Sequence, residues 1–243
     1  MSRINKFLSK FNLRIEKISK NQNLYDVLAY IFKKLEINVL LDIGANEGQF
    51  ANKVRKNGYA EKIISFEPLK DVYKELIKNS EKDINWTTQN FALGDYNGET
   101  IINESNYSLS SSILPMTNLH LDAKKDSSFI SQHKISIKKI DTYIQEKKLN
   151  YNNIFLKIDT QGTENKVLDG ANNNLDKIKG ILCELSLDEL YLGQKLWIEI
   201  IEKMKSKNYE VWYLEKGFQH PKNRKVLQLD CIFLNKNYKD KIQ

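Results

Sequence analysis

The chain has 243 residues, with 41% hydrophobic and 28% charged residues and a formal net charge of +7. This composition is typical of a globular protein with a sizeable core, and no apolar run approaches the length of a membrane span. The lysines that supply the charge are spread along the chain, which favours a solvated basic surface. Attraction to an anionic substrate or to a membrane surface is the alternative interpretation.

The N-terminal segment is predicted to be helical. Apolar residues from Ile4 to Ile18 recur at mostly helical spacing among basic residues, and a second helix is predicted from Leu24 to Leu35. We interpret residues 1–37 as a helical extension that packs on the main domain; a basic amphipathic membrane anchor is the alternative. No signal-peptide pattern is present, so we expect a cytoplasmic protein, with peripheral contact at the inner membrane face as an option.

The two cysteines, Cys183 and Cys231, lie in apolar runs that are predicted to be buried strands. We expect both to be free thiols that pack in the core. His120 and His133 fall in predicted loops, where we expect surface positions. Neither the cysteines nor the histidines have the spacing of a zinc site.

From residue 38 onward, predicted strands and helices alternate. The predicted strands are Val39–Ile43, Lys62–Phe66, Ile84–Ala92, Asn153–Ile158, Gly180–Leu185, Val211–Leu214 and Val226–Leu234. A long helix is predicted over Asp188–Lys205, and the last two strands are too closely connected for a crossover helix, so we expect them to be antiparallel. The pattern predicts an α/β fold: a doubly wound, Rossmann-like, mostly parallel seven-stranded sheet with an antiparallel last strand.

The alternation is interrupted after the third predicted strand. Glu99–Asn103, Ser110–Leu114 and Lys134–Ile140 are predicted to be extended segments joined by polar loops. We interpret residues 105–133 as an insertion that forms a rim or lid for an acceptor molecule, and a disordered insertion is the alternative. Residues 38–243 are then one domain that contains this insertion.

The stretch LLDIGANEGQF, from Leu40 to Phe50, places a turn of small residues between the first strand and a helix. Backbone N–H groups in such a turn lie beside a ligand. Gly44 and Gly48 permit positive φ angles, and Asn46 tolerates the left-handed conformation. No Gly-Lys-Ser/Thr follows and the spacing is not G-x-G-x-x-G, so the turn matches neither a P-loop nor an NAD fingerprint.

Two acidic residues accompany this turn. The negative charge of Asp42, just before the turn, would repel a pyrophosphate but suit a ligand with a cationic centre and an amino group. Glu67 ends the second strand, a position from which an acid accepts hydrogen bonds from ribose hydroxyls in doubly wound folds. A nucleoside with a cationic centre matches S-adenosylmethionine.

Four stretches of the sequence resemble class I S-adenosylmethionine-dependent methyltransferases, and more closely the FkbM-type methyltransferases. They are LLDIGANEGQF, SFEP from Ser65, FALGD from Phe91 and LKIDTQGTENKVLDGA from Leu156. The last is the most family-specific, and it departs from the family pattern at Gln161, where the family often has Glu. The resemblance covers roughly residues 39–185 and implies that residues 38–243 form a methyltransferase domain.

The resemblance implies a set of cofactor-binding residues that follow the first three strands: Asp42, Gly44, Asn46, Gly48, Glu67, Asn90, Phe91 and Ala92. In this arrangement the turn residues shape the methionine end of the site and Glu67 holds the ribose. Residues 90–92 border the adenine. The implied cofactor is S-adenosylmethionine, and the implied product is S-adenosylhomocysteine.

Asp159 and Glu164 are the predicted catalytic residues. Because the cofactor supplies the electrophile, the protein mainly positions the acceptor, and a hydroxyl acceptor must also lose its proton. Asp159 would face the transferred methyl group and act as the base, or else bind Lys157 or the cofactor amino group. Glu164 opens a helix, where a structural capping role is an equal alternative. Lys157 is expected in a structural ion pair, with Glu184 as its partner.

The implied reaction is O-methylation of a hydroxyl on a saccharide, a glycan or a natural-product-like small molecule. A magnesium ion held by Asp159 and Glu184 is an alternative that nothing in the sequence demands. N-methylation or nucleic-acid methylation is a competing hypothesis, but the chain lacks an Asn/Asp-Pro-Pro-aromatic tetrad and aromatic–basic interleaving. A cofactor-binding, membrane-associated scaffold without turnover is another, and the oligomeric state is left open.

Overall fold

The computed structural model describes residues 23–148 and 152–242. The helix predicted between Ile4 and Ile18 lies outside these residues. Among the described residues, no helix is long and apolar enough to cross a membrane.

Seven α-helices and ten strands are described. The helices are α1 Leu24–Lys34, α2 Gln49–Lys56, α3 Lys70–Ser80, α4 Asn118–Ala123, α5 Ile140–Glu146, α6 Glu164–Asp169 and α7 Trp197–Ser206. The strands are β1 Val39–Ile43, β2 Lys62–Phe66, β3 Trp86–Gln89, β4 Ala92–Leu93, β5 Gly98–Ser105, β6 Phe129–Lys138, β7 Ile154–Ile158, β8 Ile178–Ser186, β9 Tyr209–Lys216 and β10 Gln228–Asn235. The predicted second helix is confirmed as α1, whose N-terminus is capped by the side chain of Asn23.

The main sheet has seven strands in the order β3-β2-β1-β7-β8-β10-β9. All neighbouring strands are parallel except β10, which is antiparallel to both β8 and β9. This confirms the predicted fold class. The strand order reverses at β1, which lies between β2 and β7, and the carboxyl ends of these strands are where ligands bind in such sheets.

Both faces of the sheet are covered, and β1 shows why its sequence is continuously apolar. Val39, Leu41 and Ile43 point into a core with α5, α6 and α7, whereas Leu40 points into a second core with α1 and α2. A parallel strand buried on both faces needs apolar residues at consecutive positions rather than alternate ones.

The single strand predicted over Ile84–Ala92 is wrong. The main sheet keeps only β3, Ile84 is 93% exposed, and β4 joins a second sheet with the order β4-β6-β5. The chain leaves the main sheet at Asn90, whose side-chain amide donates to the backbone oxygens of Glu67 (2.9 Å) and Pro68 (3.0 Å). These hydrogen bonds hold Asn90 between the end of β3 and the start of β4.

The segment between β5 and β6 is folded. It contains α4 and two 3₁₀ turns at Ser108–Ser110 and Lys125–Ser127. The predicted extended piece at Ser110–Leu114 is reduced to one bridge between Ser112 and Asn103. Whether this segment acts as a rim or lid stays a prediction, and its position relative to the site is described below.

The long helix predicted over Asp188–Lys205 is also wrong, because α7 begins only at Trp197. In the loop before it, Leu190 and Tyr191 are fully buried. The Tyr191 hydroxyl donates to the backbone oxygen of Ser110 (3.0 Å) and to Oε1 of Gln161 (2.8 Å). These long-range contacts hold the loop in a non-helical path.

The cysteine prediction is confirmed, since Cys183 and Cys231 are free and buried. His133 is exposed on β6, as expected. The surface prediction for His120 is wrong: this residue is 3% exposed, and its ring packs against the rings of Tyr191 and Phe218.

Candidate active site

A cleft of about 650 Å³ opens at the carboxyl ends of β1, β2 and β7. Five of the predicted site residues line it: Gly44, Asn46, Glu67, Ala92 and Asp159. We call it the first cleft.

The turn after β1 depends on the conformations of two residues. Gly44 has a φ of +73° and Asn46 a φ of +49°, both in the left-handed region that glycine and asparagine tolerate. A Cβ on Gly44 would lie 1.8 Å from the backbone oxygen of Asp159. The turn therefore passes in backbone contact with the end of β7, which brings Asp159 next to the turn.

Glu67 joins the end of β2 to this turn. Its carboxylate accepts hydrogen bonds from the backbone N–H groups of Asn46 (3.0 Å) and Leu69 (2.8 Å). Burial raises the pKa of Glu67 to about 7, although the two backbone hydrogen bonds lower it. Each carboxylate oxygen keeps a further acceptor position, so this residue can also accept hydrogen bonds from a diol in the cleft.

Asp42 lies beneath the turn and does not line the first cleft. It is fully buried, accepts a hydrogen bond from the Ser65 hydroxyl (3.1 Å), and lies 3.4 Å from the Lys157 ammonium. Burial raises the pKa of Asp42, and Lys157 opposes that shift. Its position supports the turn from below rather than meeting the methionine end of a ligand directly.

Lys157 connects three parts of the site. Its Nζ lies 3.4 Å from Asp42 and 3.6 Å from Asp159, and it donates to the backbone oxygen of Gly44 (2.8 Å). Burial opposes the charged ammonium, but Asp159 and Asp42 outweigh it and raise the pKa of Lys157. The expected structural ion pair is confirmed, whereas the expected partner Glu184 is replaced by Asp42 and Asp159.

Three predicted cofactor residues support the walls of the first cleft without lining it. Gly48 has a φ of +88°, and a Cβ there would lie 2.6 Å from the Trp86 ring, so this glycine makes room for helix–strand packing. Phe91 packs edge-on against Phe66, with ring centroids 5.5 Å apart. Asn90 uses its amide in the strand break described above.

Glu164, the second predicted catalytic residue, does not line the first cleft. It is buried, and its carboxylate accepts hydrogen bonds from the backbone N–H and hydroxyl of Thr160 (2.9 and 3.2 Å) and from the N–H of Gly162 (3.1 Å). Burial raises the pKa of Glu164, while these backbone hydrogen bonds lower it. Its carboxylate closes the loop before α6, which corresponds to the structural alternative.

Gln161 has a larger role than the sequence indicated. Its amide nitrogen donates to Asp159 Oδ1 (2.7 Å) and Glu184 Oε2 (2.9 Å), while its amide oxygen accepts from the Tyr191 hydroxyl. The side chain thus bridges two carboxylates. Sequence reasoning noted this glutamine only as a departure from a family pattern, and it missed Tyr191 because the surrounding loop was predicted to be helical.

The residues do not fit the magnesium alternative. The Gln161 amide group occupies the bridging position between Asp159 and Glu184, and an N–H donor cannot ligate a cation. Within residues 23–148 and 152–242, no group of three or more His, Cys, Asp or Glu side chains is placed to hold a metal ion.

A second cleft of about 800 Å³ meets the first. The two share Leu109, Asp159 and Gln161. The remaining residues of the second cleft come from the β5–β6 connection and from β8 and β10 with the loops beside them. Asp159 therefore faces both spaces, which is the arrangement that a group-transfer reaction between two molecules requires.

Comparison with protein families gives a match over residues 42–211 to the methyltransferase FkbM domain. Because the match spans well over half of the chain, the protein belongs to the FkbM-type methyltransferase family. Comparison with curated proteins gives no match.

Several solved structures share the general layout. Fibrillarin from Aeropyrum pernix, solved with natively bound S-adenosyl-L-methionine, has 10% identity and a TM-score of 0.47, over 87% of this chain and 76% of that one. TrmK from M. capricolum, solved with S-adenosyl-homocysteine, has 14% identity and a TM-score of 0.45, over 85% and 67%. An rRNA methylase from Streptococcus thermophilus has 8% identity and a TM-score of 0.45, over 92% and 99%. At these values the likeness carries no information on substrate or mechanism.

Proposed function

We propose that this protein is an S-adenosylmethionine-dependent O-methyltransferase that acts on a hydroxyl of a saccharide, a glycan or a related small molecule. One observation carries the proposal: the turn after β1, Glu67 and Asp159 border a single cleft. Family membership supports methyl transfer as the reaction. In this arrangement the turn and Glu67 would bind the nucleoside, and Asp159 would lie beside the reacting methyl group.

The first cleft suits the nucleoside end of the cofactor. Glu67 would accept hydrogen bonds from the ribose hydroxyls. Leu69, Ala92 and Ile113 line the cleft and pack with one another, which gives an apolar surface for the adenine. The backbone of the Gly44 turn would lie against the methionine portion, with Lys157 and Asp42 fixing the turn from beneath.

Asp159 would accept the proton of the acceptor hydroxyl. Its side chain is 34% exposed, and it faces both clefts. When bound, S-adenosylmethionine would supply the methyl group, and the Asp159 carboxylate would take up the proton that the acceptor hydroxyl loses. Gln161 and Lys157, each on a different carboxylate oxygen, hold the side chain in position for this step.

Titration calorimetry with S-adenosylhomocysteine tests the cofactor half of the proposal. We expect binding by the wild type and its loss in Glu67→Ala. Neither heat nor a thermal shift with S-adenosylmethionine or S-adenosylhomocysteine would contradict the proposal.

Transfer of a labelled methyl group to pooled cell-envelope glycans and small polyols tests the catalytic half. Asp159→Asn is expected to bind S-adenosylhomocysteine like the wild type and to lose transfer. Asp71→Asn is the matched control, because the Asp71 side chain is 82% exposed on α3 and lines neither cleft. Unchanged transfer by Asp159→Asn would show that another group accepts the proton.

A further inference from the structure

One part of the second cleft is lined by aromatic and apolar side chains that can pack against a ring-shaped ligand. The side chains of Tyr107, Leu109 and Phe218 contribute to it. Aromatic rings bind the apolar faces of ring-shaped molecules at low cost in conformational entropy. This part of the cleft therefore suits a flat or chair-shaped ring rather than a flexible chain.

Another part of the lining offers hydrogen-bond acceptors and amides. Glu184 Oε2 accepts from the amides of Gln161 (2.9 Å) and Gln228 (2.6 Å). Within the described part of the chain, Glu184 Oε1 accepts no hydrogen bond, so a ligand hydroxyl can donate to it. Asp159 lies beside it at the junction with the first cleft.

His120 adds a neutral polar side chain to the lining of the second cleft. The residue lines the cleft and is 3% exposed, and its Nδ1 has no hydrogen-bond partner among the described residues. Its Nε2 is 3.2 Å from the Ser110 hydroxyl. Burial lowers the pKa of His120 to about 4, so the imidazole is neutral near pH 7 and offers hydrogen bonding without charge.

The electrostatics of the second cleft oppose an anionic ligand. Burial raises the pKa of Glu184 well above its ordinary value, and the nearby charge of Asp159 raises it further. The cation in the lining, Lys124, lies 3.1 Å from Asp126 and over the Tyr107 ring. A phosphate group would find two carboxylates and a lysine that already has a partner.

We propose that the second cleft is the acceptor subsite and that it takes an uncharged ring bearing hydroxyl groups, such as a pyranoside. This inference rests on the proposed function. The ring would pack against Phe218 and Tyr107, with one hydroxyl directed to Asp159 and others to Glu184 and Gln228. It deepens the proposed function by assigning an uncharged ring, rather than a phosphorylated sugar or a nucleic-acid backbone, to this cleft.

A third cleft is the alternative location for the acceptor molecule. It shares Asn46, Leu109 and Asp159 with the first cleft and Glu184 with the second. Its other lining residues include Lys53, Lys157 and Asp230. Its mixture of ammonium and carboxylate groups suits a charged ligand rather than an uncharged ring. The test below distinguishes the two locations.

The experiment is saturation-transfer difference NMR on the wild type saturated with S-adenosylhomocysteine. The probes are methyl α-glucoside, methyl α-rhamnoside and glucose 6-phosphate. We expect signals from both glycosides and a weaker signal or none from the phosphate. Phe218→Ala is expected to weaken glycoside binding by about fivefold to tenfold through loss of the ring contact, with unchanged affinity for S-adenosylhomocysteine.

Two variants serve as controls. Phe218→Leu preserves an apolar side chain should Phe218→Ala fold poorly, and it is expected to keep an intermediate affinity. Trp197→Ala removes an exposed aromatic residue that lines none of the three clefts, and it is expected to bind the glycosides like the wild type.

The results that overturn the inference are distinct from those that overturn the proposed function. Absence of S-adenosylhomocysteine binding contradicts the proposed function itself. Cofactor binding without any glycoside signal, or with tighter binding of glucose 6-phosphate, overturns the acceptor assignment alone. Loss of glycoside binding in Asp230→Asn but not in Phe218→Ala would move the acceptor to the third cleft.

Discussion

The α-carbon of Gly44 faces the backbone oxygen of Asp159 so closely that a Cβ at residue 44 would lie 1.8 Å from that oxygen. The turn after β1 and the end of β7 are thus in direct backbone contact. A side chain at residue 44 would push apart the two segments that border the first cleft.

Replacement of Gly44 by alanine is therefore expected to destabilise the protein more than left-handed backbone strain alone. Gly193→Ala is the matched control, since Gly193 has a φ of +78° and open space around it. We expect Gly193→Ala to lower the free energy of unfolding by about 1–2 kcal/mol and Gly44→Ala by about 3 kcal/mol or more. Urea unfolding measures both, and equal losses would argue against the backbone contact.

Cofactor affinity is expected to depend on pH through Glu67. The folded-state pKa of Glu67 is about 7, and ribose hydroxyls donate to the ionised carboxylate, so binding releases the proton. The affinity for S-adenosylhomocysteine should therefore rise about tenfold between pH 6 and pH 8. Calorimetry at several pH values measures this, and Glu67→Gln should bind weakly with a flat profile. A flat wild-type profile would contradict the role of Glu67.

The raised pKa of Glu67 makes the stability of the free protein fall with rising pH, whereas cofactor affinity is expected to rise. The folded state binds the Glu67 proton more tightly than the unfolded state, whose carboxyl titrates near 4.5. The contribution of Glu67 to the free energy of unfolding is fully present below about pH 4.5 and is lost as the pH rises through about 7. Urea unfolding across this pH range measures the effect. The free energy of unfolding of the wild type, relative to that of Glu67→Gln, should fall as the pH rises.

Lys157→Met is expected to leave Asp42 buried without a cation. Removal of one partner of a buried ion pair typically costs about 3–5 kcal/mol, and we expect a loss of that order in urea unfolding at pH 7. The double variant Asp42→Asn/Lys157→Met should recover much of the loss, because an asparagine keeps the hydrogen bond to Ser65 without the charge. Additive losses in the double variant would contradict this pairing.

Gln161→Glu is expected to place a third carboxylate beside Asp159 and Glu184 and to remove the amide that bridges them. The backbone strain is unchanged, since Gln161 already has a φ of +54°. We expect a loss of about 3 kcal/mol at pH 7 and partial recovery of the melting temperature with manganese chloride, which the wild type should not show. Differential scanning fluorimetry checks this, and a manganese response of the wild type would contradict the bridging role of the amide.

The residues that border the first cleft were largely predictable because their signals are local. An apolar run, a turn with Gly44 and Asn46, and an acid after the next strand are all fixed by the geometry of one strand–turn–helix unit and its neighbour. Asp159 was predicted from the stretch LKIDTQGTENKVLDGA. Gly48 and Asn90 were predicted to bind the cofactor, and their contacts within the protein are packing against Trp86 and hydrogen bonds to Glu67 and Pro68.

The lining of the second cleft could not be predicted because its contacts join distant parts of the chain. The Tyr191 hydroxyl meets Gln161 and Ser110, which are 30 and 81 residues away. The helical spacing of apolar residues after Asp188 predicted a helix, and tertiary packing of Leu190 and Tyr191 overrode it. Likewise, apolar residues on both sides of Asn90 fit one strand equally well, and only contacts with Glu67 and Pro68 end it.

The connection between β5 and β6 contributes to the walls of the first and second clefts but adds no strand to the seven-stranded sheet. Changes of length or sequence in this connection can therefore reshape both clefts while the sheet beneath them stays intact. Under the proposed function, grafting the connection from one relative onto another would alter acceptor preference.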